Sequence, residues 1–290
     1  MKQERRRRGI SRAVAMLLTC ITLMSGAMIG ASASAPRFPA NATPTRVYVD
    51  GREVLAGECV IMDSVTYVPL RNFSNLFDDC KISWNAKTRT ATVQTADLYM
   101  TGQSDAAYIT ANGHAFYTVG KVENIGGSLY VPIRPLALAF AKELSWNAST
   151  RSVELTSVAN KRAVAWANYR EDEVYWLSRI ISAEAKGEPL AGQIAVGNVV
   201  LNRVRHKDYP NTIYGVIFDR KHGTQFSPVS FGTIYQTPTE SAVVAAKICL
   251  EGYSLSDTAI FFLNPRIATN NWIVKNRPYA FTIGNHDFYN

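Results

Sequence analysis

Histidine and cysteine are scarce in this chain of 290 residues, which has four of each. His114 is the one histidine of the first half, and the other three are spread over the last third without an HExxH pairing. A zinc site needs several His, Cys or carboxylate ligands at close spacing, and the sequence shows no such cluster. We therefore expect no metal and no other cofactor.

A large excess of charge is also missing once the first 35 residues are set aside. They combine a basic stretch (Arg5 to Arg12), an apolar run (Ala13 to Ile29) and a small-residue site at Ala31-Ser-Ala33, a pattern typical of a secretory signal peptide. Six of the 31 basic and one of the 23 acidic residues lie in this leader, which leaves 25 against 22, a net charge of +3. We expect an exported protein without a nucleic-acid partner, and an uncleaved membrane anchor is the alternative.

Three cysteines remain beyond the leader, namely Cys59, Cys80 and Cys249. An odd number in an exported protein allows at most one disulfide. Cys59 and Cys80 lie close in sequence and could pair, and two free buried thiols fit equally well. Cys249 lies on an apolar helical segment, which predicts an inert thiol in a core.

An internal repeat occupies residues 36–156. Tyr67-Val-Pro-Leu-Arg71 recurs as Tyr130-Val-Pro-Ile-Arg134, and Ser83-Trp-Asn-Ala-Lys-Thr-Arg89 recurs as Ser145-Trp-Asn-Ala-Ser-Thr-Arg151. The offset is 63 residues for the first motif and 62 for the second. A shared order of motifs at nearly the same distance indicates two copies of one supersecondary unit, at about 45–95 and 105–156.

Each copy is predicted to form a β-hairpin, a strand that ends at proline, a short helix and a final pair of strands. Asp50-Gly51 and Asn112-Gly113 are strong hairpin turns. The helices are expected at Leu70–Phe77 and Ile133–Phe140, and Trp84 and Trp146 are expected to fill the small cores.

These repeats resemble the copper amine oxidase N-terminal-like module, a repeated stalk or anchoring unit in exported proteins of Gram-positive bacteria. Two interpretations follow. The module attaches to wall polymers through exposed aromatic and arginine side chains, or it is a spacer whose tryptophans are core. A linker, either a short helix or a flexible joint, is predicted at 157–170.

The most informative stretch is Ser182-Ala-Glu-Ala-Lys-Gly-Glu188. Val174, Leu177, Ile180 and Ile181 trace one helical face, and Glu184 continues it, four residues after Ile180. A carboxyl at the end of a buried stripe loses hydration, and this raises its pKa. The pattern therefore predicts Glu184 as a general acid.

The same region resembles the SleB/CwlJ family of bacterial cell-wall hydrolases, over roughly residues 171–290. The resemblance rests on motifs in the family's order: Ser178 to Pro189, Gly192 to Val196, Val199 to Arg203, Tyr209-Pro210, Gln225-Phe-Ser227, Ala259 to Phe262, Asn264 and Gly284 to Tyr289. It implies a mainly α, lysozyme- or transglycosylase-like domain, so the whole chain is expected to be α+β. It also implies peptidoglycan as substrate, in the spore cortex during germination or in the vegetative wall.

Glycosidic cleavage needs either two facing carboxylates or, in a lytic transglycosylase, one that acts as acid and then as base. Glu188 is the nearest second carboxylate but follows Gly187 and precedes Pro189, where a solvated turn residue is expected. We therefore favour transglycosylation by Glu184. The alternatives are a two-carboxylate glycosidase, a Cys/His amidase and a non-catalytic wall-binding protein.

The remaining expected site residues are amides, hydroxyls and aromatic rings suited to a glycan. By the resemblance they are Gln225, Phe226, Ser227, Asn264, His286, Phe288 and Tyr289. Peptidoglycan is the expected partner, with other wall polymers as further ligands of the repeats. We expect the protein at the cell wall, outside the cell or in the cortex region, in an oligomeric state that the sequence leaves open.

Overall fold

The computed structural model describes residues 38–221, 223 and 225–290. The predicted leader over residues 1–35 lies outside them. No helix within the described ranges has the length and apolar character needed to cross a membrane.

The first repeat copy has the predicted order of elements. Its hairpin turns at Asp50 and Gly51, whose φ angles of 50° and 77° match a type I′ turn. Its proline-ended strand runs directly into a one-turn helix, shorter than predicted. The elements are β1 (Thr43–Pro44), β2 (Arg46–Val49), β3 (Arg52–Val54), β4 (Val60–Met62), β5 (Val65–Pro69), α1 (Leu70–Ser74), β6 (Lys81–Asn85) and β7 (Thr90–Gln94).

The second copy repeats this order after one additional strand. Its hairpin turns at Asn112 and Gly113, with φ angles of 48° and 84°. The elements are β8 (Tyr99–Gln103), β9 (Tyr108–Ala111), β10 (His114–Tyr117), β11 (Glu123–Ile125), β12 (Ser128–Pro132), α2 (Ile133–Ala139), β13 (Lys142–Asn147) and β14 (Ser152–Ser157).

The two copies are interleaved through three sheets. The hairpin β2–β3 completes a sheet with the last strands of the second copy, in the order β13-β14-β2-β3. The last strands of the first copy join the second copy's hairpin in the order β10-β9-β8-β7-β6. A third sheet, β1-β4-β5-β12-β11, pairs the two proline-ended strands. Each copy thus needs the other to complete its sheets, and the sequence copies are not separate folding units.

The prediction that Trp84 and Trp146 fill the cores is wrong. They are 44% and 48% exposed, whereas Phe73 and Phe140 are buried in the shared core and contact each other. Each tryptophan lies two residues after a partly buried Ile82 or Leu144, on the same strand face, but beyond the end of the core.

The three described cysteines, Cys59, Cys80 and Cys249, are free thiols. The Sγ of Cys59 contacts the carbonyl oxygen of Leu55 at 3.8 Å. Burial raises the pKa of Cys59 to about 12, which makes it a poor nucleophile at neutral pH.

Residues 158–170 form neither a helix nor a free joint, because they are hydrogen-bonded along the repeat module. The amide N–H of Val164 donates to the carbonyl of Ala139 at 3.0 Å, and its carbonyl accepts from Asn112 Nδ2 at 2.7 Å. The Ala167 N–H donates to the Asn112 carbonyl at 2.8 Å. The segment is therefore anchored at several points before the next domain begins.

The C-terminal domain is mainly helical with one small sheet, as predicted. Helices α3, α4 and α7 pack together, and a Cβ on Gly197 of α4 would lie 2.7 Å from Cys249 Sγ, so glycine permits the close approach. The elements are α3 (Glu171–Ala185), α4 (Leu190–Arg205), α5 (Ile213–Ile217), α6 (Ser227–Phe231), a 3₁₀ turn (Thr233–Tyr235), α7 (Glu240–Leu250), β15 (Phe261–Leu263), α8 (Trp272–Asn276), β16 (Tyr279–Ile283) and β17 (His286–Tyr289).

A polar cluster joins the repeat module to the helical domain. His114 Nδ1 lies 2.6 Å from Glu251 Oε1, and Tyr169 donates its hydroxyl to the same oxygen. Lys247 Nζ donates to the Gly113 carbonyl at 3.2 Å. These contacts join the module and the domain within one compact unit.

Candidate active site

Helix α3 carries Glu184 at the end of its buried face. Leu177, Ile180 and Ile181 are fully buried, and Glu184 is half-buried one turn further on. Three acidic residues in the first turn suit the positive end of the helix dipole, and the apolar stripe fixes which face turns inward. The helix therefore holds the carboxyl at the margin between core and solvent.

The environment of Glu184 favours its protonated form. Burial raises its pKa to about 7, against the opposing positive charge of Arg203. Among the described residues, no protein group donates a hydrogen bond to this carboxyl. A carboxyl that is half-protonated near neutral pH can both give and take a proton.

Arg203 of α4 is the charged neighbour of Glu184 that the sequence analysis passed over. Its side chain is buried, with 5% exposure, and its Nε donates to the Ile260 carbonyl at 2.8 Å. Burial lowers the pKa of this guanidinium, while Tyr209, Asp219 and Glu184 act in the opposite direction.

Aromatic rings hold the Arg203 guanidinium in place. Its centre lies 5.1 Å from the ring of Tyr209, 5.0 Å from Phe226 and 5.5 Å from Phe261. Its Nη1 is buried without a hydrogen-bond partner in the described structure. A buried cation with an unused donor is suited to act on a nearby carboxylate. The signal in the sequence was an arginine directly after the buried segment Val199 to Asn202.

Glu188 lies just beyond Glu184 but has a different environment, and the expectation of a solvated turn residue is wrong. Its side chain is 8% exposed. Asn285 donates to it twice, from its backbone N–H to Oε2 at 2.9 Å and from Nδ2 to Oε1 at 3.0 Å. Burial favours the neutral form, but these bonds and the nearby His286 outweigh it and lower the pKa of Glu188.

The Glu188 contacts fasten the α3–α4 turn to the C-terminal hairpin. Gly284 has φ of 60°, and a Cβ there would lie 1.9 Å from Glu188 Oε2. Glycine is thus needed both for the backbone conformation and for the close approach of the carboxylate. The arrangement gives Glu188 a structural role in holding the tail.

Three predicted polar site residues lie in accessible turns. Gln225 donates from Nε2 to the Gly223 carbonyl at 3.2 Å, and Ser227 is exposed at the start of α6. Asn264 follows β15, and its Oδ1 accepts from the Arg266 N–H at 3.0 Å. Each of these side chains is available at the surface of the helical domain.

The four predicted ring residues are buried in the described structure, and their part in substrate binding stays a prediction. Phe226 is 2% exposed, His286 7%, Phe288 0% and Tyr289 4%. Phe288 stacks on Phe281 at 4.8 Å, and Phe226 supports Arg203. These residues are buried because the terminal hairpin β16–β17 packs on the helices.

Exposed aromatic residues that the sequence analysis did not select lie beside α3. Trp176, two turns before Glu184, packs edge-on against Tyr214, Phe218 and Tyr235. Tyr214 is 54% exposed and Tyr235 61%. They present ring faces near the helix that carries Glu184, which is the property the buried rings lack.

The structure places Cys249 in the core. Its Sγ lies 3.4 Å from the Ile194 carbonyl oxygen, it is 1% exposed, and burial raises the pKa of this thiol. It therefore lacks the access and the thiolate character that a Cys/His amidase needs. Among the described residues, no three His, Cys, Asp or Glu side chains form a group able to hold a metal ion.

Comparison with known proteins agrees with this architecture. Residues 187–289 match the cell wall hydrolase family, and residues 48–155 match the copper amine oxidase N-terminal domain. The chain therefore carries a cell wall hydrolase domain behind a copper amine oxidase N-terminal-like module, and both resemblances are confirmed. Glu184 lies just before the matched range.

The curated relatives include several spore cortex-lytic enzymes. That of Bacillus cereus is 38% identical over 120 residues, which are 41% of this chain and 45% of the relative. That of Halalkalibacterium halodurans is 38% identical over 124 residues, which are 43% and 36%. The chain thus spans less than half the length of these curated relatives. Among solved structures, the catalytic domain of the germination-specific lytic transglycosylase SleB from Bacillus anthracis is 36% identical, with 42% of this chain and 98% of that one covered and a TM-score of 0.39.

Proposed function

We propose that this protein cleaves the glycan strands of peptidoglycan, with Glu184 as the catalytic acid and base. The observation that carries the proposal is the raised pKa of Glu184, about 7, at the end of a buried helix face. Homology of the helical domain to spore cortex-lytic enzymes supports the substrate class. We further propose that the protein acts outside the cell, at the cortex or the wall.

A single carboxyl is sufficient for lytic transglycosylation. Protonated Glu184 gives its proton to the bridge oxygen as the bond from muramic acid C1 to that oxygen breaks. The resulting carboxylate then takes the proton of the muramic acid 6-hydroxyl as O6 bonds to C1. The product has a 1,6-anhydro end, no water is consumed, and Glu184 recovers its proton.

Arg203 fits this cycle because it stabilises the form of Glu184 that appears between the two steps. Burial alone would make the carboxylate costly, and the nearby guanidinium reduces that cost. The pair thus keeps the two protonation states of Glu184 close in free energy, as an acid that must also act as a base requires.

The second candidate is a two-carboxylate hydrolase with Asp219 as partner. One observation favours it: the negative charge of Asp219 acts on Arg203, the same guanidinium that faces Glu184. Glu188 is a weaker candidate, because its carboxylate is engaged by Asn285. The two mechanisms differ in product, since hydrolysis leaves reducing ends and transglycosylation leaves anhydro ends.

The test is mass spectrometry of muropeptides released from spore cortex and from vegetative wall. We expect anhydro ends from the wild type, and a loss of about 10²–10⁴-fold or more in Glu184→Gln. Glu171→Gln, at the exposed start of the same helix, is the matched control and should keep full activity.

Two results would count against the proposal. Near-wild-type activity of Glu184→Gln would remove Glu184 from the chemistry. Reducing ends together with an inactive Asp219→Asn variant would establish the two-carboxylate hydrolase instead.

A further inference from the structure

The repeat module contains two grooves built from equivalent positions of the two copies. One has a volume of about 290 Å³ and is lined by Pro69, Leu70, Arg71 and Trp84. The other has a volume of about 700 Å³ and is lined by Pro132, Ile133, Arg134 and Trp146. These are the same residues of the two repeated motifs, so the repeat in the sequence duplicates a groove.

The wall opposite these residues is also duplicated, and it comes from the other copy. In the smaller groove it is the β11–β12 hairpin, with Gly127, Ser128 and Leu129. In the larger groove it is the β4–β5 hairpin, with Ser64, Val65 and Thr66. Each groove therefore exists only because the two copies are interleaved.

The motif residues that line the grooves are free to meet a ligand. Trp84 is 44% and Trp146 is 48% exposed. Arg71 and Arg134 are both exposed, each as the second residue of its helix, and neither forms an ion pair or a side-chain hydrogen bond with another described residue. An indole face and an unpaired guanidinium thus occur together twice.

From this duplication we infer that each groove binds a sugar ring together with a carboxylate close to it, and that the occupant is a peptidoglycan strand. The indole offers an apolar face to a sugar ring, and the guanidinium offers a planar fork of donors to a carboxylate. Muramic acid with its attached peptide supplies both groups along one strand. The choice of peptidoglycan among carboxylated glycans rests on the proposed function.

The two grooves differ in how they are closed. Glu251, Gly252 and Tyr253 of the hydrolase domain line the larger groove, and Tyr253 packs against Tyr117 at 4.8 Å between ring centres. The smaller groove is lined by the repeat module alone. A strand held in the larger groove therefore also lies against the catalytic domain, and Trp146 is expected to matter more than Trp84.

The experiment measures sedimentation of full-length protein with purified insoluble sacculi, in a Glu184→Gln background that prevents digestion. Trp84→Ala should weaken binding about tenfold and Trp146→Ala more than tenfold, and the double variant should lose about a hundredfold or more. Trp166→Ala is the matched control, because Trp166 is 67% exposed and lines neither groove. Arg71→Gln and Arg134→Gln should each weaken binding and make the remaining binding less sensitive to salt. Arg52→Gln, a substitution outside both grooves, should change neither property.

Two results would overturn the inference. One is binding by the Trp84/Trp146 double variant within twofold of its background. The other is loss of binding when sacculi are stripped of teichoic acid by hydrofluoric acid, which would make a phosphate polymer the occupant.

Cleavage of soluble glycan strands, measured with Glu184 intact, separates this inference from the proposed function. Full soluble activity in the tryptophan variants together with weakened binding to sacculi supports the grooves. If the wild type does not cleave the strands but binding still depends on the tryptophans, the proposed function is wrong and the inference about the grooves stands.

Discussion

The end of α3 and the turn that follows it carry two glutamates only four residues apart, and the fold treats them in opposite ways. Burial without hydrogen bonds raises the pKa of Glu184 to about 7. Glu188 is also shielded from solvent, but Asn285 and His286 outweigh this burial and lower its pKa. The difference shows that burial alone does not make a carboxyl a catalytic acid, because the hydrogen-bond donors and charges around it also set its pKa.

The largest effect is expected in the pH dependence of activity, because activity depends on the protonation of Glu184. Because the general acid must be protonated, wild-type activity should fall as pH rises through about 7. Activity measured on soluble strands between pH 5 and 9 checks this. A profile that stays flat across pH 7 would contradict the assignment of Glu184 as the acid.

The free energy of unfolding should also depend on the protonation of Glu184, and this can be measured independently of activity. Its folded pKa of about 7 exceeds the ordinary 4.5, so the associated stability is full below 4.5 and is lost as pH rises through 7. Glu184→Gln removes this loss and should be more stable than wild type at pH 8, by at most about 3 kcal/mol. Urea unfolding at pH 5 and pH 8 measures the difference, which should be several times smaller at the lower pH.

The next prediction concerns Arg203, whose positive charge acts to lower the pKa of Glu184. Arg203→Met removes the positive charge, so the pKa of Glu184 should rise and the alkaline fall of activity should move to higher pH. Arg203→Lys should restore much of the profile but lose the planar contact with three rings. Arg205→Met, at an exposed position on the same helix, should leave the profile unchanged.

Periodicity is sufficient to predict the half-buried position of Glu184, which follows from its place on a helix face that Leu177, Ile180 and Ile181 define. The environment of Glu188 was not predictable in this way. Its partner Asn285 lies 97 residues away, and only the packing of the terminal hairpin brings the two together. Contacts of such sequence separation leave no local pattern.

The repeats show the same limit in another form. Turn residues and strand order followed from Asp50-Gly51, Asn112-Gly113 and the two proline-ended strands, because these are local signals. The exposure of Trp84 and Trp146 did not, since it depends on which copy completes which sheet. A residue type that is usually buried is here left at the rim of a groove.

A smaller effect is expected from Glu188→Ala, which should destabilise the protein by about 1–3 kcal/mol because the two donors of Asn285 lose their acceptor. The wild-type contribution is present above pH 4.5 and is lost as pH falls through the lowered folded pKa. The variant should therefore differ from wild type at pH 7 and converge with it in acid. Activity corrected for folded protein should change less than tenfold, and a larger loss would return Glu188 to the chemistry.

The smallest effect comes from Asn285→Ala, which tests what holds the pKa of Glu188 down. The variant keeps the backbone N–H bond to Oε2 and loses only the Nδ2 bond to Oε1, so a loss of about 0.5–1.5 kcal/mol is expected at pH 7. With one donor fewer, the folded pKa of Glu188 should rise, so the acid loss of stability should be smaller and should be complete at a higher pH than in wild type. Asn271→Ala, at an exposed position without a side-chain cap bond, is the matched control. An unchanged acid limb in Asn285→Ala would mean that the backbone N–H and His286 alone set the charge of Glu188.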